Sequence, residues 1–309
     1  MIKPKGLKPG SVIGIVAPAS PVEEEKVIGS KKILESMGFQ VKMGKSCYEK
    51  YGYLSGKDRV RAYDLNNMFA DEYIDGIICL RGGYGSVRIL EMIDYNSISK
   101  NPKVFVGYSD ITALHIAINQ RANLITFHGP MAASNMTTKL DDFTYNSFVD
   151  MIGDNDFYGE IKNPLKEKLE TLSGGRCMGK ITGGNMAIIC STLGTPYEID
   201  TKNKILFLED IGEEPYRVDR MLNQLHLAGK LEDCLGIILG DFKDCNASDP
   251  KNSLELEEVF NDLLIPLEKP ILGNVRVGHC MPMITLPLGA ESIIDATRKK
   301  IFINEKVTT

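Results

Sequence analysis

The sequence predicts an α/β protein, with an N-terminal, mostly parallel sheet flanked by helices and a second, strand-rich domain after it. Short apolar runs alternate with helix-like stretches through the first third, and beyond a polar stretch in the middle the strand-like runs crowd together. A length of 309 residues suffices for two domains of ordinary size, each with its own core.

The first run, SVIGIVAPA at 11–19, is bounded by Gly10 and Pro18 as a buried strand would be. Ser20, Pro21 and Glu23 follow in the order of a capping box, predicting a helix that starts there, runs to about Met37 and stops at Gly38. FQVKMG is the next strand. IDGIICL (74–80) meets the glycine-rich RGGYGS, after which SVRILEMI has a helical pattern. KVFVGYS (103–109) passes directly into DITALHIAI, where Ile111, Leu114, His115 and Ile118 share one helix face. In parallel sheets of this kind ligands meet the carboxyl ends of the strands, where both RGGYG and Ser109 fall. These spacings suggest an N-terminal domain over 1–134, a polar linker over 135–174 in which FTYNSFVDMI is helical, and a C-terminal domain over 175–309.

Composition excludes several classes of function. A net charge of -5 and the lack of long Lys/Arg runs give no field for a nucleic acid backbone. No stretch approaches the ~20 apolar residues of a membrane span, so a cytoplasmic protein is expected. The seven cysteines are scattered without CxxC spacing and read as reduced thiols. MGKS at 43–46 lacks the spacing of a phosphate loop, and GGYGSVR has Arg88 where a dinucleotide fingerprint needs its third glycine. Neither a cofactor nor a metal is expected, since HExxH is absent and the four histidines lie far apart.

Ser109 is the focus of the chemistry. At a strand-to-helix turn it is either a helix cap or a nucleophile, and GYSDI lacks the last glycine of a GxSxG elbow. The turn would leave the Asp110 amide unpaired at a helix start, and the Gly83 amide in the neighbouring loop is a second donor for an oxyanion. A base is needed as well. His115 reads as a core residue and His226 as structural, while His128 either lines the rim or supports its loop. His279, after an apolar run and a glycine, sits in a loop able to deliver an imidazole to a cleft. Glu209 ends the strand KILFL and is best placed to orient that imidazole. Asp210, Glu213 and Glu214 read as solvated charge.

VAPAS, LRGGYG, VGYSD, TFHGP, ITGGN, FLED and VGH, in that order, resemble the LD-carboxypeptidase family of serine peptidases over about residues 10–305. The family includes muramoyl-tetrapeptide carboxypeptidases and microcin C self-immunity hydrolases. The resemblance implies a triad of Ser109, Glu209 and His279, an oxyanion hole from the Gly83 and Asp110 amides, and a substrate contact at Asn185. It also implies a C-terminal domain with a β-barrel-like core, a cleft between domains, and a homodimer. The activity implied is cleavage of terminal D-alanine from murein tetrapeptide. Alternatives are hydrolysis of a microcin C-type aminoacyl-nucleotide and a non-catalytic, cleft-type ligand-binding protein. A carboxypeptidase must also meet a terminal carboxylate, for which Arg81 or the helix start after RGGYG is available. Arg81 reads equally well as a surface ion-pair residue.

Overall fold

The computed structural model describes residues 1–155 and 157–309, so Asp156, inside the expected linker, lies outside the described residues. Strand and helix alternate at first: β1 (Val12–Val16), α1 (Glu24–Ser36), β2 (Gln40–Met43), α2 (Asp58–Ala70), β3 (Gly76–Cys79), α3 (Tyr95–Lys100), β4 (Val104–Gly107), α4 (Thr112–Ala122) and β5 (Thr126–His128). Two helices, α5 (Ala132–Asn135) and α6 (Asp142–Ile152), complete this stretch. The strands β6 (Gly159–Ile161), β7 (Glu170–Ser173) and β8 (Arg176–Asn185) lead through α7 (Met186–Ser191) to β9 (Lys204–Ile211). Then come α8 (Pro215–Leu227), α9 (Lys230–Asp233), β10 (Gly236–Lys243), α10 (Leu256–Leu264) and β11 (Ile271–Gly273). Three strands close the chain: β12 (Leu286–Leu288), β13 (Glu291–Asp295) and β14 (Lys300–Ile303).

These elements form two compact units. The first holds Met1–Phe157 with Ile284–Gly289 and Lys306–Thr309, and the second holds Tyr158–Met283 with Ala290–Glu305. Residues 135–174 therefore contribute α6 to the first unit and β6 and β7 to the second.

The first unit is built on a six-stranded sheet in the order β12-β5-β4-β3-β1-β2, parallel except for β12. Its central strands are fully buried apolar runs, as helices on both faces of a parallel sheet require. Proline is tolerated in β12, at Pro287, because β12 is an edge strand. The order reverses between β1 and β3, a switch point beyond which ligands bind in such sheets. The loops after β1 and β3 leave the sheet there.

One local expectation is corrected. Ser20 does not cap α1: its hydroxyl accepts a 3.1 Å bond from the Tyr84 amide, and the helix begins one turn later with Glu23 at the cap position. SVRILEMI is helical as expected, in the form of a 3-10 helix over Ser86–Met92.

The second unit carries eight strands in the order β6-β14-β13-β8-β9-β10-β11-β7. Its middle is parallel from β8 to β11, and the outer pairs are antiparallel. The barrel-like core implied by the resemblance is instead an open sheet among the described residues, because β6 and β7 lie at opposite ends and do not pair. No helix among the described residues is long and apolar enough to cross a membrane.

Candidate active site

In the first unit, Ser109 begins a short 3-10 turn between β4 and α4. Its φ is 63°, left-handed backbone that costs a non-glycine residue about 1–3 kcal/mol and recurs at functional sites. The turn is held from below. His115, fully buried on α4, donates from Nε2 to the carbonyl of Gly107 at 2.8 Å, and burial brings its pKa down to about 4, so the ring is neutral. The carboxylate of Asp110 accepts the Ser86 amide at 2.8 Å, tying the turn to the end of the glycine loop. Burial pushes that carboxyl above its usual range.

The glycine loop lies against this turn. A Cβ on Gly82 would stand 2.9 Å from the Ser109 Cβ and 3.0 Å from its Oγ, so only glycine allows the approach. Gly83 and Gly85 adopt φ of 106° and 137°, open to glycine alone. Ser20 anchors the loop by donating its amide to the Gly82 carbonyl at 3.2 Å and accepting from the Tyr84 amide.

Arg61 on α2 was not singled out in the sequence. Completely buried, it donates to the carbonyls of Pro18 and of Gly85, the latter at 2.9 Å, and pairs with Asp58. Asp58 is bridged in turn by Arg88 at 2.8 Å, and these two arginines hold its carboxyl below the usual range. Arg61 thus joins the end of β1 to the glycine loop, and its only sequence signal is Asp58 one turn earlier on the same helix.

In the second unit, Glu209 lies on β9 directly opposite Asn185 of β8. Its side chain is fully buried, and its Oε2 lies 2.6 Å from the Nδ1 of His279, whose side chain is 12% exposed. Glycines make the room: a Cβ on Gly278 would stand 2.6 Å from that Oε2, and one on Gly240 would meet the Glu209 Cβ at 3.1 Å. The bulge in β10 between Leu239 and Phe242 falls at this second glycine. A histidine donating from Nδ1 to a buried carboxylate carries its lone pair on Nε2 and can take a proton there.

Asp210 is not solvated charge as expected. It is buried and accepts 2.9 Å bonds from the Asn185 side chain and from the amides of Ala187 and Ile211, with burial pushing its pKa up to about 6. Asn185 also caps α7, its Oδ1 accepting the Ile188 amide at 3.1 Å. Glu213 pairs with Arg217, and Glu214 accepts the Ser248 amide at 3.0 Å.

The remaining histidines are placed otherwise. His128 is buried at the end of β5 with its ring 5.8 Å from that of Tyr108, and His226 is half exposed and pairs with Glu232. MGKS is not an anion loop, for the Ser46 hydroxyl is buried and accepts the Ala17 amide at 3.1 Å. Among the described residues no group of three or more His, Cys, Asp or Glu side chains is arranged to hold a metal.

A strained serine at a strand end and a histidine oriented by a buried carboxylate are components of serine hydrolases. Comparison with known proteins gives the class directly. Residues 13–129 match the LD-carboxypeptidase N-terminal domain and residues 178–294 the LD-carboxypeptidase C-terminal domain, so this chain belongs to the LD-carboxypeptidase family of serine peptidases. It is 44% identical to a probable murein peptide carboxypeptidase of Bacillus subtilis, over 99% of this chain and 95% of that protein. It is 29% identical to the microcin C7 self-immunity protein MccF of Escherichia coli, over 96% of this chain and 94% of that one. The structure of MccF with aspartyl sulfamoyl adenosine has a TM-score of 0.93 to this chain at 26% identity, with all of both chains covered. A muramoyltetrapeptide carboxypeptidase of Oxalobacter formigenes has a TM-score of 0.83 at 29% identity, covering 96% of this chain and 100% of that one.

Proposed function

We propose that this chain is a serine LD-carboxypeptidase that hydrolyses the amide between the L-centre of diaminopimelate or lysine and the terminal D-alanine of murein tetrapeptide. Ser109 attacks the carbonyl and His279 takes its proton, then returns it to the departing amine. Glu209 holds the imidazole and stabilises its charged form. The Gly83 and Asp110 amides receive the oxyanion, and water releases the tripeptide from the acyl-enzyme. Asn185, fixed by Asp210 and by its cap to α7, is the proposed substrate contact beside Glu209. The reading includes a cytoplasmic homodimer, which light scattering on the purified protein checks for assembly.

One observation carries the proposal: the 2.6 Å bond from His279 Nδ1 to a fully buried carboxylate. Such a carboxylate fixes the tautomer a general base needs, and removing it from serine hydrolases typically costs about 10⁴ in kcat. The murein peptide carboxypeptidase relative at 44% identity supports the choice of substrate.

The likeness to MccF favours a second reading, hydrolysis of an aminoacyl-nucleotide amide. This chain has no tryptophan to stack on a base, so tyrosine or phenylalanine would have to serve. Incubation with murein tetrapeptide, murein pentapeptide and an aminoacyl sulfamoyl adenylate, followed by mass spectrometry, separates the two. D-Alanine release from tetrapeptide alone is expected, whereas cleavage of the adenylate alone overturns the first reading. Ser109→Ala is expected to abolish turnover, and a fully active variant would remove Ser109 as nucleophile.

A further inference from the structure

We infer that Arg81 reads the terminal carboxylate of the substrate and thereby makes the site act at chain ends. The inference rests on the peptidase reading above and names the feature that site selects, a free α-carboxylate one residue beyond the scissile bond.

Arg81 opens the glycine loop. It is half-buried, and its Nη1 donates to the Pro21 carbonyl at 3.3 Å. Its Nη2 stands 3.7 Å from where a Cβ on Gly83 would lie. The next residue, Gly82, packs its backbone on the side chain of Ser109. The guanidinium is therefore seated on the same short loop that touches the nucleophile.

The neighbouring arginines are committed elsewhere. Arg61 is spent on Asp58 and two carbonyls, and Arg88 on Asp58 through bonds of 2.8, 3.0 and 3.1 Å. Among the described residues Arg81 forms no ion pair, and the surface-pair alternative read from the sequence falls away. A guanidinium has five donors in a planar fork matched to a carboxylate. Here one donor is used, on a neutral carbonyl.

The geometry of the substrate fits that position. In a peptide ending in alanine, the carboxylate carbon is two bonds beyond the amide nitrogen, roughly 3–4 Å from the carbonyl oxygen of the scissile bond. A carbonyl oxygen received by the Gly83 amide brings its carboxylate within reach of an arginine seated over Gly83.

The test compares murein tetrapeptide with the same peptide ending in a carboxamide. Wild type and Arg81→Gln are assayed for kcat/KM on both, with Arg81→Lys as a second variant and thermal melting as a check of folding. Binding of both peptides to Ser109→Ala, with and without Arg81→Gln, is measured by calorimetry. Wild type is expected to prefer the acid by about 10- to 100-fold, the range of a hydrogen bond between charged groups. The preference should collapse towards one in Arg81→Gln and return in part in Arg81→Lys, which keeps the charge and loses the fork. Parallel losses on acid and amide would overturn the inference and make Arg81 a prop for the loop. If wild type cleaves neither peptide the peptidase reading falls by itself, and calorimetry still decides Arg81: a preference for the acid that vanishes in Arg81→Gln supports it, and one that is absent or unchanged overturns it.

Discussion

Replacing Gly278 by alanine measures how closely the Glu209–His279 pair must be held. At φ 111° a side chain is strained by about 1–3 kcal/mol. The new methyl would sit 2.6 Å from the very Oε2 that meets His279, and ordinary contact begins at 3.4 Å, so the carboxylate must retreat by about 0.8 Å. A misplacement of that order near the reacting groups costs about 10²-fold in rate, or about 2.7 kcal/mol of barrier. The backbone strain alone should lower the melting temperature by about 3–10 °C. Gly229→Ala serves as the control, for its φ is 71° and no heavy atom lies within 4 Å of the added Cβ. It should lose stability and keep kcat/KM within about twofold, since only strain is added. D-Alanine release from tetrapeptide and thermal unfolding by circular dichroism are followed for both variants. A Gly278→Ala protein as active as Gly229→Ala would refute the claim that the carboxylate position limits the reaction.

Two buried titratable groups predict opposite pH slopes. Burial pushes the Asp210 carboxyl up to about 6 from the ordinary 3.8, so its contribution to stability is present below about pH 4 and lost as pH rises towards 6. Asp210→Asn should therefore gain on wild type in urea midpoint across that window, and a constant difference would contradict it. His115 titrates near 4 against 6.5, so its contribution is present above pH 6.5 and lost as pH falls towards 4. His115→Gln should flatten that acid-side loss in the same urea series, and an undiminished slope in the variant would count against it. Burial pushes the thiols of Cys177 and Cys280 up to about 12, and Cys177 alone among the seven is not buried. Native protein should react slowly with a thiol reagent, first at Cys177 by peptide mapping. Rapid labelling of Cys280 would contradict the burial that raises its thiol.

Much of the first unit was legible because periodicity and punctuation agree there. The apolar runs at β1, β3 and β4 stand between glycine and proline markers, and parallel strands buried on both faces carry an unbroken apolar signal. Where reading failed, a distant partner had taken a group that the local pattern assigned elsewhere. Ser20 had the spacing of a cap, but the Tyr84 amide, 64 residues on, claims its hydroxyl. Asp210 stood in an acidic run that suggested solvent, and the parallel register of β8 with β9 instead buries it against Asn185. Arg61 drew no reading at all, because nothing local marks it for the Pro18 and Gly85 carbonyls. The Glu209–His279 bond was legible as a pairing of residue types after strand ends; its length and the glycines that admit it were not.

β12 pairs with β5 in the first unit although its residues follow almost the whole of the second. During synthesis the first sheet therefore waits for its outermost strand until some 160 residues beyond β5 have been made, a delay of about 8–32 seconds at ordinary translation rates. Until then β5 presents an open edge, and such edges recruit other chains. A gene cut after Phe157 would make that interim state permanent, so the first unit expressed alone closes its sheet only if Ile284–Gly289 comes with it.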